Sequence, residues 1–93
     1  MVYVYALTAT TEEVPQHLRC YDQHRVALGD LRIYPRYCWM PRACPLTVCF
    51  QTDRELSDED LERIERTYRE HGFTLTFDET MTKMRQKQEN VHL

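Results

Sequence analysis

Ninety-three residues make one small domain, and 42% hydrophobic content with ten aromatics excludes a chain that is disordered throughout. Only two glycines occur, Gly29 and Gly72, so glycine-rich phosphate loops are excluded, and no apolar run approaches the roughly 18 residues of a membrane span. The net charge of −3 is mild but uneven: residues 16 to 45 carry five arginines against two aspartates, and residues 46 to 80 carry ten acids against four arginines. MVYVYALTAT has no basic n-region of a secretory leader. The expectation is therefore a cytosolic protein whose four cysteines are reduced thiols, with no disulfide framework.

Residues 2 to 8, VYVYALT, alternate as a first strand, with Val2, Val4 and Ala6 on one face and Tyr3, Tyr5 and Leu7 on the other. Thr11 is the expected N-cap of a first helix, with Glu12 and Glu13 near its positive end and Pro15 in its first turn. Val14, Leu18, Tyr21 and Leu28 recur at helical spacing, with Arg25 in the same stripe, and Gly29 and Asp30 end the helix. Residues 31 to 40, LRIYPRYCWM, read as a second strand. Pro35 cannot donate a ladder hydrogen bond, which assigns this strand to a sheet edge. Two parities compete inside it: Ile33, Tyr37 and Trp39 against Tyr34, Cys38 and Met40. Pro41 and Pro45 bracket a turn, and residues 46 to 51 form a third strand with Leu46, Val48 and Phe50 inward.

The stretch from Leu56 to Phe77 carries the strongest local signals. Ser57 is a good N-cap, Asp60 stands where a capping box wants an acid, and Leu56 with Leu61 can form a hydrophobic staple. Leu61, Ile64 and Tyr68 share one helical face. Gly72 supplies the left-handed residue past the last turn, and Phe73 can fold back onto Tyr68. Phe73, Leu75 and Phe77 then alternate with threonines as a fourth strand. Residues 78 to 93 are polar, with a faint stripe of Met81, Met84 and Val91, and read as a tail or short helix. Strand, helix, strand, strand, helix, strand is the split βαβ, ferredoxin-like order. The expected fold is α+β over residues 1 to 77: a four-stranded antiparallel sheet, two helices on one face, and the other face open.

Five features carry chemistry. VYVYAL resembles the RNP2 segment of RNA-recognition motifs, which stack bases on sheet aromatics, and the resemblance would make Tyr3 a stacking residue. The third strand keeps Phe50 of the partner motif, while Thr47, Cys49 and Gln51 supply neither stacking surface nor charge. The plainer reading sets Tyr3 and Tyr5 against a dimer partner or as a cover for the sheet. His17, Cys20 and His24 fall on one helical stripe, and Cys38, Cys44 and Cys49 lie on later segments. No CxxC pair pre-organises a tetrahedron, so no metal site is expected. The same helix holds Asp22 beside the histidines, but no motif joins a nucleophile to a base. Asp58, Glu59, Asp60, Glu62, Glu65 and Glu70 could imitate a phosphate row. Pairing of Glu59, Glu62 and Glu65 with Arg63, Arg66 and Arg69 one turn later, together with Asp58 and Asp60 at the positive end of the helix, accounts for five of the six. Finally, Arg32, Tyr34, Arg36, Tyr37, Trp39, Met40 and Arg42 combine the residue types enriched in protein interfaces.

The function expected from these features is non-enzymatic and needs no cofactor. It is a protein-binding module, a stoichiometric inhibitor or regulator of the size carried by phages and mobile elements. Its contacts are Arg32, Tyr34, Arg36, Trp39 and Arg42, with Tyr3 and Tyr5 on the outer sheet face, where a homodimer is compatible. An RNA- or single-stranded-DNA-binding module is the second reading, and a small dimeric α/β-barrel enzyme the third. No membrane partner is expected.

Overall fold

Tyr3–Ala9 (β1) forms the strand its alternation predicts, and it lies inside the sheet with a neighbour on each side. The computed structural model describes residues 1–91, except the side chains of His17, Asn90 and Val91. After β1 come α1 (Tyr21–Asp30), β2 (Tyr37–Trp39), β3 (Thr47–Thr52), α2 (Asp58–Glu70), β4 (Phe73–Phe77) and α3 (Glu79–Val91). The fold is α+β, with a four-stranded antiparallel sheet in the order β2-β3-β1-β4 and three helices. Among the described residues no helix is long and apolar enough to cross a membrane.

The local signals in α2 are realised. Ser57 accepts from the Asp60 amide at 3.2 Å, and the Asp60 carboxylate accepts from the Ser57 amide at 3.3 Å, which closes the capping box. Gly72 takes φ +80°, the left-handed value that favours glycine. Phe73 meets Tyr68 edge-on, with ring centroids 5.7 Å apart.

Two expectations fail locally, each for a physical reason. The first helix does not begin after Thr11. Leu18 bonds to the carbonyl of Pro15 in a single 3-10 turn over Gln16–Leu18, and α1 starts only at Tyr21, after Cys20. Arg19 Nε donates to the Val14 carbonyl at 3.1 Å, the group that an α-helix through this stretch would offer to Leu18, and the Leu18 amide turns to Pro15 instead. The second strand is also shorter than residues 31 to 40. The amides of Leu31, Arg32 and Ile33 bond back to the carbonyls of Leu28 and Gly29, closing the end of α1. Arg32 adopts φ 63° to do so, a left-handed conformation costly for a residue with a Cβ. Pro35 is buried just ahead of β2, and β2 is an edge strand.

The core lies between the sheet and α1 and α2. Tyr5, Leu7, Val48 and Phe50 from the sheet meet Leu28 of α1 and Ile64 and Tyr68 of α2. Tyr5 and Phe50 are register partners and their rings stack at 5.5 Å. Cys38, opposite Phe50, and Met40 share this face. That settles the parity of the second strand in favour of Cys38 and Met40 inside, although Ile33, ahead of the strand, is buried too.

The opposite face is not open. Val2, Val4, Ala6, Cys49 and Gln51 are buried there under α3, where a polar tail or short helix was expected. β4 runs out at Phe77, opposite Tyr5, so the start of β1 has no strand on that side. The Asp78 amide donates to the Val4 carbonyl at 2.9 Å, and Thr82 Oγ1 accepts from the Val4 amide at 2.8 Å. Gln86 Nε2 then donates to the Val2 carbonyl at 2.9 Å. The segment opening α3 thus takes over the hydrogen bonds of a missing strand.

Candidate functional site

The arginine-aromatic stretch gathers around the free edge of β2. Arg32, Arg36, Tyr37 and Arg42 are exposed, and Tyr34 is 76% exposed. Arg36 pairs loosely with Asp53 at 3.5 Å, both side chains more than half exposed. Trp39 is half-buried on the outer face, with the Arg85 guanidinium 4.9 Å from its ring centre. Met40 is half-buried against the core. Among the described residues β2 pairs with no strand but β3, so its other edge has no strand partner, and three arginines border it.

Tyr3 and Tyr5 stand elsewhere. Both point to the helix side of the sheet, opposite to the outer face expected of them. Tyr5 is 2% exposed, and its hydroxyl accepts from the Leu56 amide at 2.9 Å. Burial pushes its phenol up. A homodimer built on these two tyrosines across the outer face has no such surface to use. Tyr3 likewise does not occupy an outward stacking position; the outward residues of β1 are Val2, Val4 and Ala6, and they lie under α3.

Among the described residues the histidine and cysteine candidates form no metal-holding group. The side chain of His17 lies outside the described residues. His24 is fully buried, not part of an exposed flanking stripe. Its Nε2 lies 2.7 Å from the Leu18 carbonyl, which only accepts, so Nε2 carries the proton and donates. In the neutral ring Nδ1 then accepts from the Tyr68 hydroxyl at 3.0 Å. With stacking on Tyr68 and an edge contact to Phe73, this histidine is a core residue whose two nitrogens face protein groups. Tyr68 is held protonated by burial. Cys20 and Cys44 are exposed, Cys38 is half-buried and Cys49 is buried, all four free. Burial pushes the Cys38 thiol up to about 11 against the attraction of Arg25. Among the described residues no group of three His, Cys, Asp or Glu side chains is placed to hold a metal ion.

The acidic helix is less of a phosphate row than its sequence. Asp60 is buried under α2's first turn, where Arg54 bonds it at 3.0 Å and Arg63 bonds its other oxygen. Arg63 therefore turns back to Asp60, while Arg66 pairs with Glu62 at 2.7 Å as its spacing predicts. Burial raises the Asp60 carboxyl, but the bonds from Arg54, Ser57 and Arg63 outweigh it and hold the group below the usual carboxylate range.

Two residues that sequence reasoning left aside belong to this region. Gln51 sits on the outer face opposite Tyr37, and Arg85 reaches it from α3. Thr82 and Gln86, four residues apart, and Arg85 seat α3 through polar groups, which hydrophobic periodicity does not mark. No known protein family matches the chain, and no curated protein or solved structure does either.

Proposed function

We propose that this chain is a cytosolic ferredoxin-like module that acts by binding a partner protein, as a regulator or stoichiometric inhibitor, without catalysis. Counted from its other edge the sheet runs β4-β1-β3-β2, so one strand separates β1 from β2 and one separates β3 from β4. That order supports the ferredoxin-like reading, with α1 and α2 as crossover helices and α3 as an addition. The four free cysteines agree with a reducing compartment.

The observation that carries the binding reading is the free edge of β2, bordered by exposed Arg32, Arg36 and Arg42 and by Tyr34 and Tyr37. Unpaired strand groups recognise another backbone, and arginines select its side-chain charge. The partner is therefore an extended segment carrying Asp or Glu at alternate positions, added to the sheet beside β2. Fluorescence anisotropy with labelled acidic strand peptides tests this. Binding should weaken with salt and vanish when the peptide's pairing amides are N-methylated. It should also be lost when Arg36 and Arg42 are changed together to Glu, and kept when Glu62 and Glu65 are changed to Lys. Loss in the Glu62/Glu65 variant alone would move the site to α2 and overturn the assignment.

A further inference from the structure

On the outer face, between the β2–β3 edge and α3, lies a groove of about 440 Å3. Val2, Arg36, Tyr37, Gln51, Arg85 and Glu89 line it. Gln51 is 4% exposed, and its Oε1 has no hydrogen-bond partner among the described residues. A buried acceptor left unpaired is costly, and an apolar side chain at this register position would avoid the cost. Gln51 lines the groove, but Oε1 itself is covered there, so an N–H or O–H donor reaches it only when neighbouring side chains move aside.

The walls narrow the chemistry. Two arginines and one glutamate line it, a net positive lining, with Asp53 outside the lining beside Arg36. Arg85 is steadied over the Trp39 ring, and the long, exposed pair of Arg36 with Asp53 can exchange Asp53 for another carboxylate. Arginine forks match carboxylates bidentately. Val2 and Tyr37 add apolar wall. Glu89 weighs against a multiply charged phosphate ligand, since it would repel one. The volume suits a small molecule or one terminal residue.

We propose that this groove binds an α-carboxylate with an adjacent N–H donor and an aliphatic side chain. Arg36 and Arg85 take the carboxylate, Gln51 Oε1 accepts the N–H, and the side chain packs on Val2 and Tyr37. The source of that chemistry is a free amino acid or the C-terminal residue of a peptide. Entry requires long side chains at the rim to swing aside, a fast motion at exposed positions. The site does not depend on strand addition at β2. Arg36 serves both readings, so variants at Gln51 and Arg85 separate them.

Amide NMR spectra of the labelled protein, titrated with leucine, N-acetyl-leucine and N-acetyl-leucinamide, test the proposal. At least one of the two carboxylates should give saturable shifts at Tyr37, Gln51 and the Gln51 side-chain amide. The leucinamide should bind at least about tenfold more weakly, having lost the arginine contacts. Stronger binding of leucine identifies a free amino acid, and stronger binding of N-acetyl-leucine a peptide C-terminus. Gln51→Leu should melt no lower than the parent, because it removes the orphaned oxygen, yet lose the response. Arg85→Gln should weaken it independently should Gln51→Leu fail to fold. Absence of saturable shifts into the millimolar range, an equal response to the leucinamide, or full binding by Arg85→Gln would overturn the proposal.

Discussion

At the scale of single residues, burial separates side chains that look alike in the sequence. Cys20 and Cys44 are exposed, whereas Cys49 is buried and Cys38 holds its proton up to about 11. Thiolate is the reactive form, so a native-state alkylation time course at neutral pH should label Cys20 and Cys44 well before Cys38 and Cys49. Equal rates at all four would mean that the sheet opens on the labelling timescale. Asp60 gives the pH dependence. Its folded pKa lies below the unfolded value, near 3.9, so its contribution to stability is fully present above that value. The contribution is lost as pH falls through the folded pKa. Asp60→Asn should therefore lower the melting temperature at pH 7, and the gap to the parent should close under acid. A gap independent of pH would mean that the Arg54 and Arg63 bonds do not depend on the charge. His24 and Tyr68 form another buried polar pair, and Tyr68→Phe removes the hydroxyl facing Nδ1. Chemical denaturation should show a loss of about 1–3 kcal/mol.

Elements differ in how well the sequence announces them. α2 and β4 were legible because their signals are local: a capping box, a stripe ending in Tyr68, a left-handed glycine and alternation. Ile64 has no exposed surface, so Ile64→Ala should cost about 2–5 kcal/mol in a denaturation series, more than Leu61→Ala at its half-buried position. The start of α1 was not legible, because the 3-10 turn ahead of it, with Arg19 bonded back to the Val14 carbonyl, leaves no mark in the hydrophobic periodicity. α3 was hidden for a related reason. It is seated by Thr82, Gln86 and Arg85, through hydrogen bonds and a ring contact, and hydrophobic periodicity does not register polar anchors. Removal of residues 79 to 93 should expose Val2, Val4 and Cys49 and leave the Val4 amide unpaired. Far-UV dichroism and light scattering should report partial unfolding and association. A shortened chain that stays monomeric and melts like the parent would mean that α3 adds nothing to the fold.

For the molecule as a whole, β2 lies at a sheet edge as expected, although Pro35, on which that expectation rested, precedes the strand; the arginine-aromatic surface was readable from composition. The placement of Tyr3 and Tyr5 was not. Alternation gives two faces without saying which one the helices cover, and α3 buries the Val2–Val4–Ala6 face as well. Stability is distributed accordingly. β1 and β3 have strands on both sides, whereas β2 has three residues, one neighbour and flanking loops. Opening β2 exposes few fully buried groups, so it should need less free energy than opening β1. Native-state hydrogen exchange should find the β2 amides exchanging first, and those at the centre of β1 and β3 only with global unfolding. An added strand at the free edge would raise the protection of β2 and leave the local opening of β4 unchanged, because β4 lies at the far edge. Exchange of the free chain and of the chain with an acidic strand peptide measures both. Equal slowing of β2 and β4 would indicate global stabilisation and argue against strand addition; no slowing of β2 at peptide saturation would show that its edge is not the surface that binds.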